Sequence, residues 1–327
     1  IEKHTMDFIL YNLSQNQNAD GSFGSFNQYE LTAEIALLLT QYNITDSGQF
    51  TLMINYLKTT EPANNREKAM KARLLVGLGQ PYQQLLDELL AEQNQTNGGF
   101  ALLDSYGSDA LTTMDAALAL WTANYQIETK MAPALLYVLN QIQPDGSMYY
   151  TAGSKPSWYL INKIAEGLKP FQSMNISDGQ TTVSVQDKIN ALLNFIQTNY
   201  NSETNKLTNG RSPADELSTL RTLQLYNTAD AMQKALWDAT IINQQADGGF
   251  GTGLYNSIAA FKAFAQPDLA VTSLSSVGQL QTKSPAGFKI HIKNTGYKTV
   301  SDASIHQFID SVAQDNVLQF SSIGLTL

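Results

Sequence analysis

The chain contains no cysteine among its 327 residues. A chain without thiols forms no disulfide bond, no cysteine-ligated zinc site, no internal thioester and no covalent intermediate on sulfur. Histidine is scarce as well, and the three copies, His4, His291 and His306, do not cluster. Because zinc sites are built from clustered thiolates and imidazoles, we expect no bound metal, and nothing in the sequence indicates a cofactor.

Basic residues are also few. Twenty Lys and Arg stand against 29 Asp and Glu, which gives a formal net charge of −9. Nucleic-acid binding needs a dense Lys/Arg surface, so the sequence predicts no nucleic-acid partner. No apolar run reaches the roughly 20 residues of a membrane-spanning helix, so we expect no membrane span either.

One short loop motif recurs through most of the chain. It begins with Gln, continues through Asp-Gly or Gly-Gly, and ends on an aromatic or apolar residue. The copies are QNADGSFG at 17–24, QNQTNGGF at 93–100, QIQPDGSMY at 141–149 and QQADGGFG at 244–251. Recurrence of such a unit is typical of a repeat architecture, in which each unit buries its apolar face against the next.

Helical periodicity surrounds these loops and divides residues 1–265 into six pairs of helices. The first helix of a pair is amphipathic and the second is apolar nearly all round, which predicts an outer and an inner position. The sequence therefore predicts an all-α (α/α)6 toroid of six helical hairpins. The pairs are 3–17 with 30–43, 49–60 with 66–79, 82–95 with 109–125, 130–143 with 157–170, 184–200 with 213–227, and 229–245 with 254–265.

The loop residues have local roles in this scheme. An Asp-Gly or Gly-Gly step supplies the positive-φ residue that ends an outer helix, and the following aromatic residue returns to the core. We expect positive φ at the glycines Gly21, Gly98 or Gly99, Gly146 and Gly248.

The pattern changes after the last helix. The segments 269–274, 288–294 and 303–309 alternate apolar and polar residues with period two, which is typical of half-buried strands. We expect a second domain at 267–327, a small all-β immunoglobulin-like sandwich. About 60 residues is short for such a domain, so we expect it to be truncated.

The loops resemble the repeats of the prenyltransferase and squalene-cyclase-like superfamily, whose members build α/α toroids. This group includes terpenoid cyclases, protein prenyltransferases, thioester domains and cobalamin carriers. In the tail, PDLAV at 267–271 and GFKIHIKNTG at 287–296 resemble the start of a CARDB-type domain. Such domains occur on exported bacterial proteins. With the lack of cysteine, this resemblance implies an extracellular or cell-surface location.

The catalytic signatures of that superfamily are missing from the sequence. It contains no Asp-x-Asp-Asp motif of class II cyclases, no Asp-Asp-x-x-Asp motif and no thioester cysteine. Asp109, Asp115 and Asp215 are the acids that lie nearest to the starts of inner helices. The leading interpretation is a non-catalytic ligand-binding, adhesion or scaffold module. The alternatives are a divergent terpenoid cyclase or prenyltransferase-type enzyme that uses one of these acids, and a small-molecule carrier of the cobalamin-binding type.

The candidate binding site is the end of the toroid that gathers the N-termini of the inner helices. A small molecule, a glycan or a protein would bind at this mouth. Capping of a helix N-terminus is the simpler role for Glu30 and Asp109, whereas Asp115 lies deeper in its helix and needs a polar partner. The candidate residues are Glu30, Asp109, Asp115, Trp158, Asp215 and Tyr255.

Overall fold

A computed structural model describes residues 3–151, 153–177, 179–180, 182–210, 212–251, 253–265, 269–277 and 287–294. Twelve α-helices lie in these ranges, and each differs from its predicted bounds by at most four residues at either end. They are α1 Lys3–Gln15, α2 Gln28–Gln41, α3 Gly48–Thr59, α4 Asn65–Gly77, α5 Gln83–Ala91, α6 Ala110–Thr122, α7 Ala132–Gln141, α8 Trp158–Leu168, α9 Val185–Thr198, α10 Pro213–Leu225, α11 Asp230–Ile241 and α12 Leu254–Phe264.

Odd-numbered and even-numbered helices differ in burial, as the sequence predicts. Helix α5 buries only Leu86, Leu89 and Leu90. Its partner α6 is buried on nearly every side, from Ala110 to Leu120. A helix enclosed on all sides lies inside and a helix with a polar face lies outside. The odd-numbered helices are therefore the outer layer and the even-numbered helices the inner layer.

The inner helices form a closed ring. Helices α2, α4, α6, α8 and α10 pack against one another in chain order. Helix α12 returns to α2, where the Lys262 Nζ lies 3.1 Å from the Glu34 Oε1. Beside this ion pair, the rings of Tyr42 and Phe261 meet edge to face with centroids 5.3 Å apart. The described helices thus build the predicted α/α toroid.

The recurring loops fix the outer helices to one another. In the third hairpin, the Gln93 Nε2 donates to the Gly98 carbonyl at 2.8 Å and to the Lys130 carbonyl at 2.9 Å. The same side chain therefore holds its own turn and the start of the next outer helix. Phe100 is fully buried behind the turn, and its N–H donates to the Thr113 Oγ1 at 2.9 Å.

The predicted positive-φ glycines are confirmed. Backbone φ is between 75° and 92° at the four positions. At the third hairpin the residue in question is Gly98 rather than its neighbour Gly99. These glycines are Gly21, Gly98, Gly146 and Gly248.

Two short hairpins lie between helices where the sequence showed no strand signal. β1 (Asn175–Ser177) pairs with β2 (Thr182–Ser184), and β3 (Tyr200–Asn201) pairs with β4 (Lys206–Leu207), both antiparallel. Strands of two or three residues are too short to carry a period-two pattern, which is why the sequence did not reveal them.

Beyond the toroid, β5 (Leu269–Val277) and β6 (Gly287–Asn294) form an antiparallel pair with an irregularity between Val271 and Ser273. These strands match the first two predicted ones. The third predicted strand, 303–309, lies outside the described residues, so the sandwich and the boundaries 1–265 and 267–327 stay predictions. By its contacts, Phe8–Ala263 forms one compact unit, and β5 and β6 belong to a second. Within the described ranges, no helix is long and apolar enough to cross a membrane.

Candidate functional site at the axis of the toroid

Two cavities between the inner helices stand out in the part of the chain that the structure describes. The large cavity has a volume of about 540 Å³ and is lined by the second half of most inner helices. Residues from the last turns of four of these helices, Thr40, Gly77, Thr122 and Leu225, all line it. The small cavity, about 290 Å³, lies near the N-termini of α10 and α12, beside Ser212 and Tyr255. The large cavity falls within the 300 to 1,000 Å³ typical of small-molecule sites.

Four charged residues border both cavities, and we call them the charged layer: Glu34, Lys163, Glu166 and Lys262. Glu34 Oε1 pairs with Lys163, and it also lies 3.1 Å from Lys262 Nζ. Lys262 in turn lies 3.2 Å from Glu166 Oε2. Burial opposes the ionisation of Glu34, but Lys163 and Lys262 outweigh it and hold the pKa of this carboxyl below its usual value. The layer is therefore an ionised network inside the toroid.

A second group, the Arg66 cluster, consists of Arg66, Glu30, Asp115 and Tyr159. Arg66 Nη1 bonds Glu30 Oε1 at 2.6 Å, and Arg66 Nε bonds Asp115 Oδ2 at 2.7 Å. Its third nitrogen lies 3.3 Å from the Tyr159 hydroxyl. The guanidinium thus holds together three inner helices, α2, α4 and α6, and contacts a fourth, α8.

The two carboxylates of this cluster are not equally compensated. Asp115 has a second cation, because Arg73 Nη1 lies 3.7 Å from its Oδ1. Glu30 shares Arg66 with Asp115. Burial raises the pKa of Glu30, the attraction of Arg66 only partly offsets this rise, and the nearby charges of Glu34 and Asp115 add to it. Glu30 therefore holds a proton more easily than a free glutamate carboxyl does.

Of the six residues predicted to form the mouth, four lie in two groups and two belong to neither. Glu30 and Asp115 are brought together by Arg66, as described above. Asp215 and Tyr255 both line the small cavity. Asp109 and Trp158 belong to neither group.

Two of these predicted residues have structural roles at helix ends. Asp109 is the N-cap of α6 and accepts from the Thr112 N–H at 2.8 Å. Asp215 forms a capping box with Ser212 at the start of α10, besides lining the small cavity. Both assignments satisfy backbone groups that a helix N-terminus otherwise leaves without partners.

The two predicted aromatic residues differ in their surroundings. Trp158 is buried, its Nε1 donates to the Thr208 carbonyl at 3.0 Å, and its ring packs on Phe195. It is a core residue and not part of the mouth. Tyr255 is 40% exposed and lines the small cavity. Burial raises the pKa of its hydroxyl, and the neighbouring Glu30 raises it further.

The sequence analysis missed most charged residues of the axis. Glu34 stands in the apolar stretch TAEIALLL, Arg221 in LSTLRTLQL and Lys262 in IAAFKAF. A single charge on a helix that is otherwise buried all round requires a partner or a polar cavity. That signal was present in three separate inner helices and would have located the axis as the polar site.

No three or more metal-ligating side chains gather anywhere in the described part of the chain. The arrangement instead offers a cavity lined by both apolar and charged side chains, and an acid with a raised pKa outside its lining. Such a chamber can take up a small molecule, and Glu30 is linked to it through Arg66, which lines the large cavity.

No protein-family model and no curated protein matches the chain. The chain does match solved structures. A protein from Actinoplanes is 14% identical, with a TM-score of 0.60 over 80% of this chain and 98% of that one. A variant of the type II terpene cyclase MstE from Scytonema, bound to its substrate geranylgeranyl dihydroxybenzoate, is 13% identical, with a TM-score of 0.59 over 80% and 95%.

A third similar structure is a possible GH105 family member from Salmonella enterica. It is 11% identical, with a TM-score of 0.52 over 80% of this chain and 92% of that one. At such identities the likeness concerns the fold alone. The chain is therefore similar in fold to α/α toroids that include type II terpene cyclases and a glycoside-hydrolase-like protein.

Proposed function

We propose that the toroid is an enzyme that acts on a small molecule. Its activity would be that of a divergent terpenoid cyclase or prenyltransferase-type enzyme. The observation that carries the proposal is the large cavity, which is bordered by the charged layer on the side that it shares with the small cavity. A module that only spaces or adheres gains nothing from an internal chamber of this size, whereas a ligand site requires one.

Glu30 is the proposed proton donor. The acids considered from the sequence, Asp109, Asp115 and Asp215, cap helices or pair with arginines. Glu30 also pairs with an arginine, Arg66, but burial raises its pKa, and a general acid must hold its proton near the working pH. Its side chain is 13% exposed and lies outside the linings of both cavities, so the proposal requires the substrate to extend past Arg66 to reach it.

The fold of the neighbours supports this proposal over a purely structural module. Two of the similar structures are an enzyme and a possible member of a glycoside hydrolase family. The cyclase acts on an isoprenoid chain joined to an aromatic acid. We propose a comparable shape for the substrate here, with an apolar body in the large cavity.

Product analysis tests the proposal. The purified chain is incubated with linear isoprenoid alcohols and their diphosphates, with and without magnesium, and the extracts are separated by mass spectrometry. We expect a new product with the unchanged protein and at least a hundredfold less with Glu30→Gln, since general acids contribute about 10²–10⁴-fold to rate.

A matched control is Glu88→Gln, the same substitution at an exposed acid that contacts only Gln84 among the described residues. It leaves product formation unchanged. If these probes bind but no product forms, the enzymatic proposal is wrong and the toroid is a binding module. The adhesive role, the carrier role and the extracellular location, expected from the sequence, remain predictions.

A further inference from the structure

The lining of the large cavity has an unusual charge for so acidic a chain. Six cationic side chains line it against three carboxylates, and the cations are Arg66, Arg73, Lys163, Lys169, Arg221 and Lys262. Adding Glu30, which pairs with Arg66, leaves an excess of two positive charges. The whole chain carries a formal net charge of −9.

The two excess charges belong to particular residues. Among the described residues, Lys169 and Arg221 are the lining cations with no carboxylate within 4.0 Å. Lys169 lies at the C-terminal end of α8, where it bonds Gln172 and stands over the Tyr226 ring at 4.7 Å. A lysine there also complements the helix dipole, so its position has a structural explanation.

Arg221 has no such explanation. It is 7% exposed, and its Nη1 is buried without a hydrogen-bond partner among the described residues. Burying part of a guanidinium without a counter-ion or an acceptor is costly, because the N–H groups on Nη1 lose water without replacement. It therefore points to a partner that is not part of the toroid.

The surroundings of Arg221 suit an anionic head group on an apolar body. Tyr42 also lines the cavity nearby. Burial raises the pKa of its hydroxyl, and the positive charge of Arg221 works against that rise. The hydroxyl is therefore a donor that stays protonated beside the guanidinium. Leu38, Leu74 and Leu225 give the wall near this end an apolar part, beside the polar side chains of Thr40, Gln41 and Thr122.

We propose that Arg221, with the Tyr42 hydroxyl, binds a carboxylate or phosphate group of an amphiphilic small molecule whose apolar part fills the large cavity. A guanidinium pairs such oxygens through two parallel N–H bonds. This inference deepens the proposed function by naming the substrate class, and it rests on the same cavity. The anionic end would lie towards the C-termini of the inner helices, and the apolar part would extend towards the charged layer.

Calorimetry tests the inference on the unchanged protein first. The probes are decanoate, decyl phosphate, decanol and acetate. We expect decanoate or decyl phosphate to bind at least tenfold more tightly than decanol, which lacks the charge, and than acetate, which lacks the apolar body. The preferred head group distinguishes a carboxylate from a phosphate substrate. Equal binding of decanoate and decanol overturns the inference.

Substitution then locates the site. Arg221→Met keeps a similar length without the charge, and we expect it to weaken anion binding about ten- to hundredfold, because bonds to charged groups contribute more than neutral ones. Lys234→Met, at an exposed lysine paired with Asp238, is the matched control and leaves binding unchanged. If Arg221→Met does not fold, Arg221→Lys takes its place, with a smaller loss expected.

The outcome is separable from that of the proposed function. If decanoate binding depends on Arg221 but no turnover is detected, the anion site is supported and the proposed enzymatic activity is wrong. Turnover that depends on Glu30 but is unaffected by Arg221→Met supports the enzyme and overturns the anion site. An Arg221→Met protein that is less stable but binds decanoate unchanged assigns Arg221 a structural role only and overturns the anion site.

Discussion

Alanine substitutions at three loop glycines separate two effects that the recurring loop depends on. Gly146 has a φ of 83°, and a Cβ there would overlap the Ala191 carbonyl oxygen in the next outer helix. Gly153 has a φ of 78° but open space around the added Cβ. Gly107 has neither a positive φ nor a neighbour within 4 Å. From Gly107 to Gly153 the substitution therefore adds backbone strain, and from Gly153 to Gly146 it adds a steric clash.

The expected magnitudes follow from these differences. Gly107→Ala changes the free energy of unfolding by no more than about 0.5 kcal/mol, as for an ordinary surface change. Gly153→Ala costs about 1–2 kcal/mol, because a left-handed backbone disfavours a Cβ by that amount. Gly146→Ala adds about 1–3 kcal/mol of overpacking, since backbone atoms must shift, which gives a total of about 2–5 kcal/mol.

Denaturant titration followed by helical circular dichroism measures the three free energies. The order Gly107, Gly153, Gly146 supports the reading of the loop as a tight contact between one hairpin and the next outer helix. Equal losses at Gly146 and Gly153 would refute the contact. Equal stability of all three variants would refute the positive-φ requirement as well.

Two further changes test the axis and the core. Glu34→Gln leaves Lys163 without its carboxylate, whereas Lys262 keeps Glu166, so we expect the free energy of unfolding to fall by about 1–3 kcal/mol at neutral pH. The pKa of Glu34 is lowered in the folded state, so its contribution is present above its usual value of 4.5 and is lost as the pH falls below it. The difference in unfolding free energy between this variant and the unchanged protein, measured by denaturant titration, should become smaller in acid. A difference that does not change with pH contradicts the pairing of Glu34 with the lysines. Trp158→Phe loses the hydrogen bond to the Thr208 carbonyl, so we expect the free energy of unfolding, measured by thermal unfolding, to fall by about 1–2 kcal/mol. Decanoate binding should not change. Weaker decanoate binding by this variant would support a place for Trp158 in the site.

The helices could be predicted from the sequence because each carries a long periodic signal. In α5, Leu86, Leu89 and Leu90 fall on one face, and this pattern is independent of distant residues. The end of a helix depends on a few turn residues, so the predicted bounds were off by up to four residues. The positive-φ glycines were predictable for the same local reason.

The candidate site was less predictable because it is made of pairs that are far apart in the chain. Arg66 meets Asp115 across 49 residues, and Lys163 meets Glu34 across 129. No local pattern reports such a pairing. Trp158 is hard to place from the sequence because its residue type suits a mouth and a core equally well, and its burial, its bond to Thr208 and its packing on Phe195 depend on residues far along the chain.

The charged side chains along the axis of the toroid also help to decide between an enzyme and an inert scaffold. Burying ion pairs seldom stabilises a protein more than apolar side chains of the same size, because desolvation offsets the attraction. The toroid already closes its ring with apolar contacts such as Tyr42 on Phe261. Arg221 takes no part in these contacts, and it costs stability as long as its Nη1 lacks an acceptor. A chain that served only as a spacer would be more stable with methionine or leucine at this position. This is why the axis, and not the exposed loops, is where we place the function.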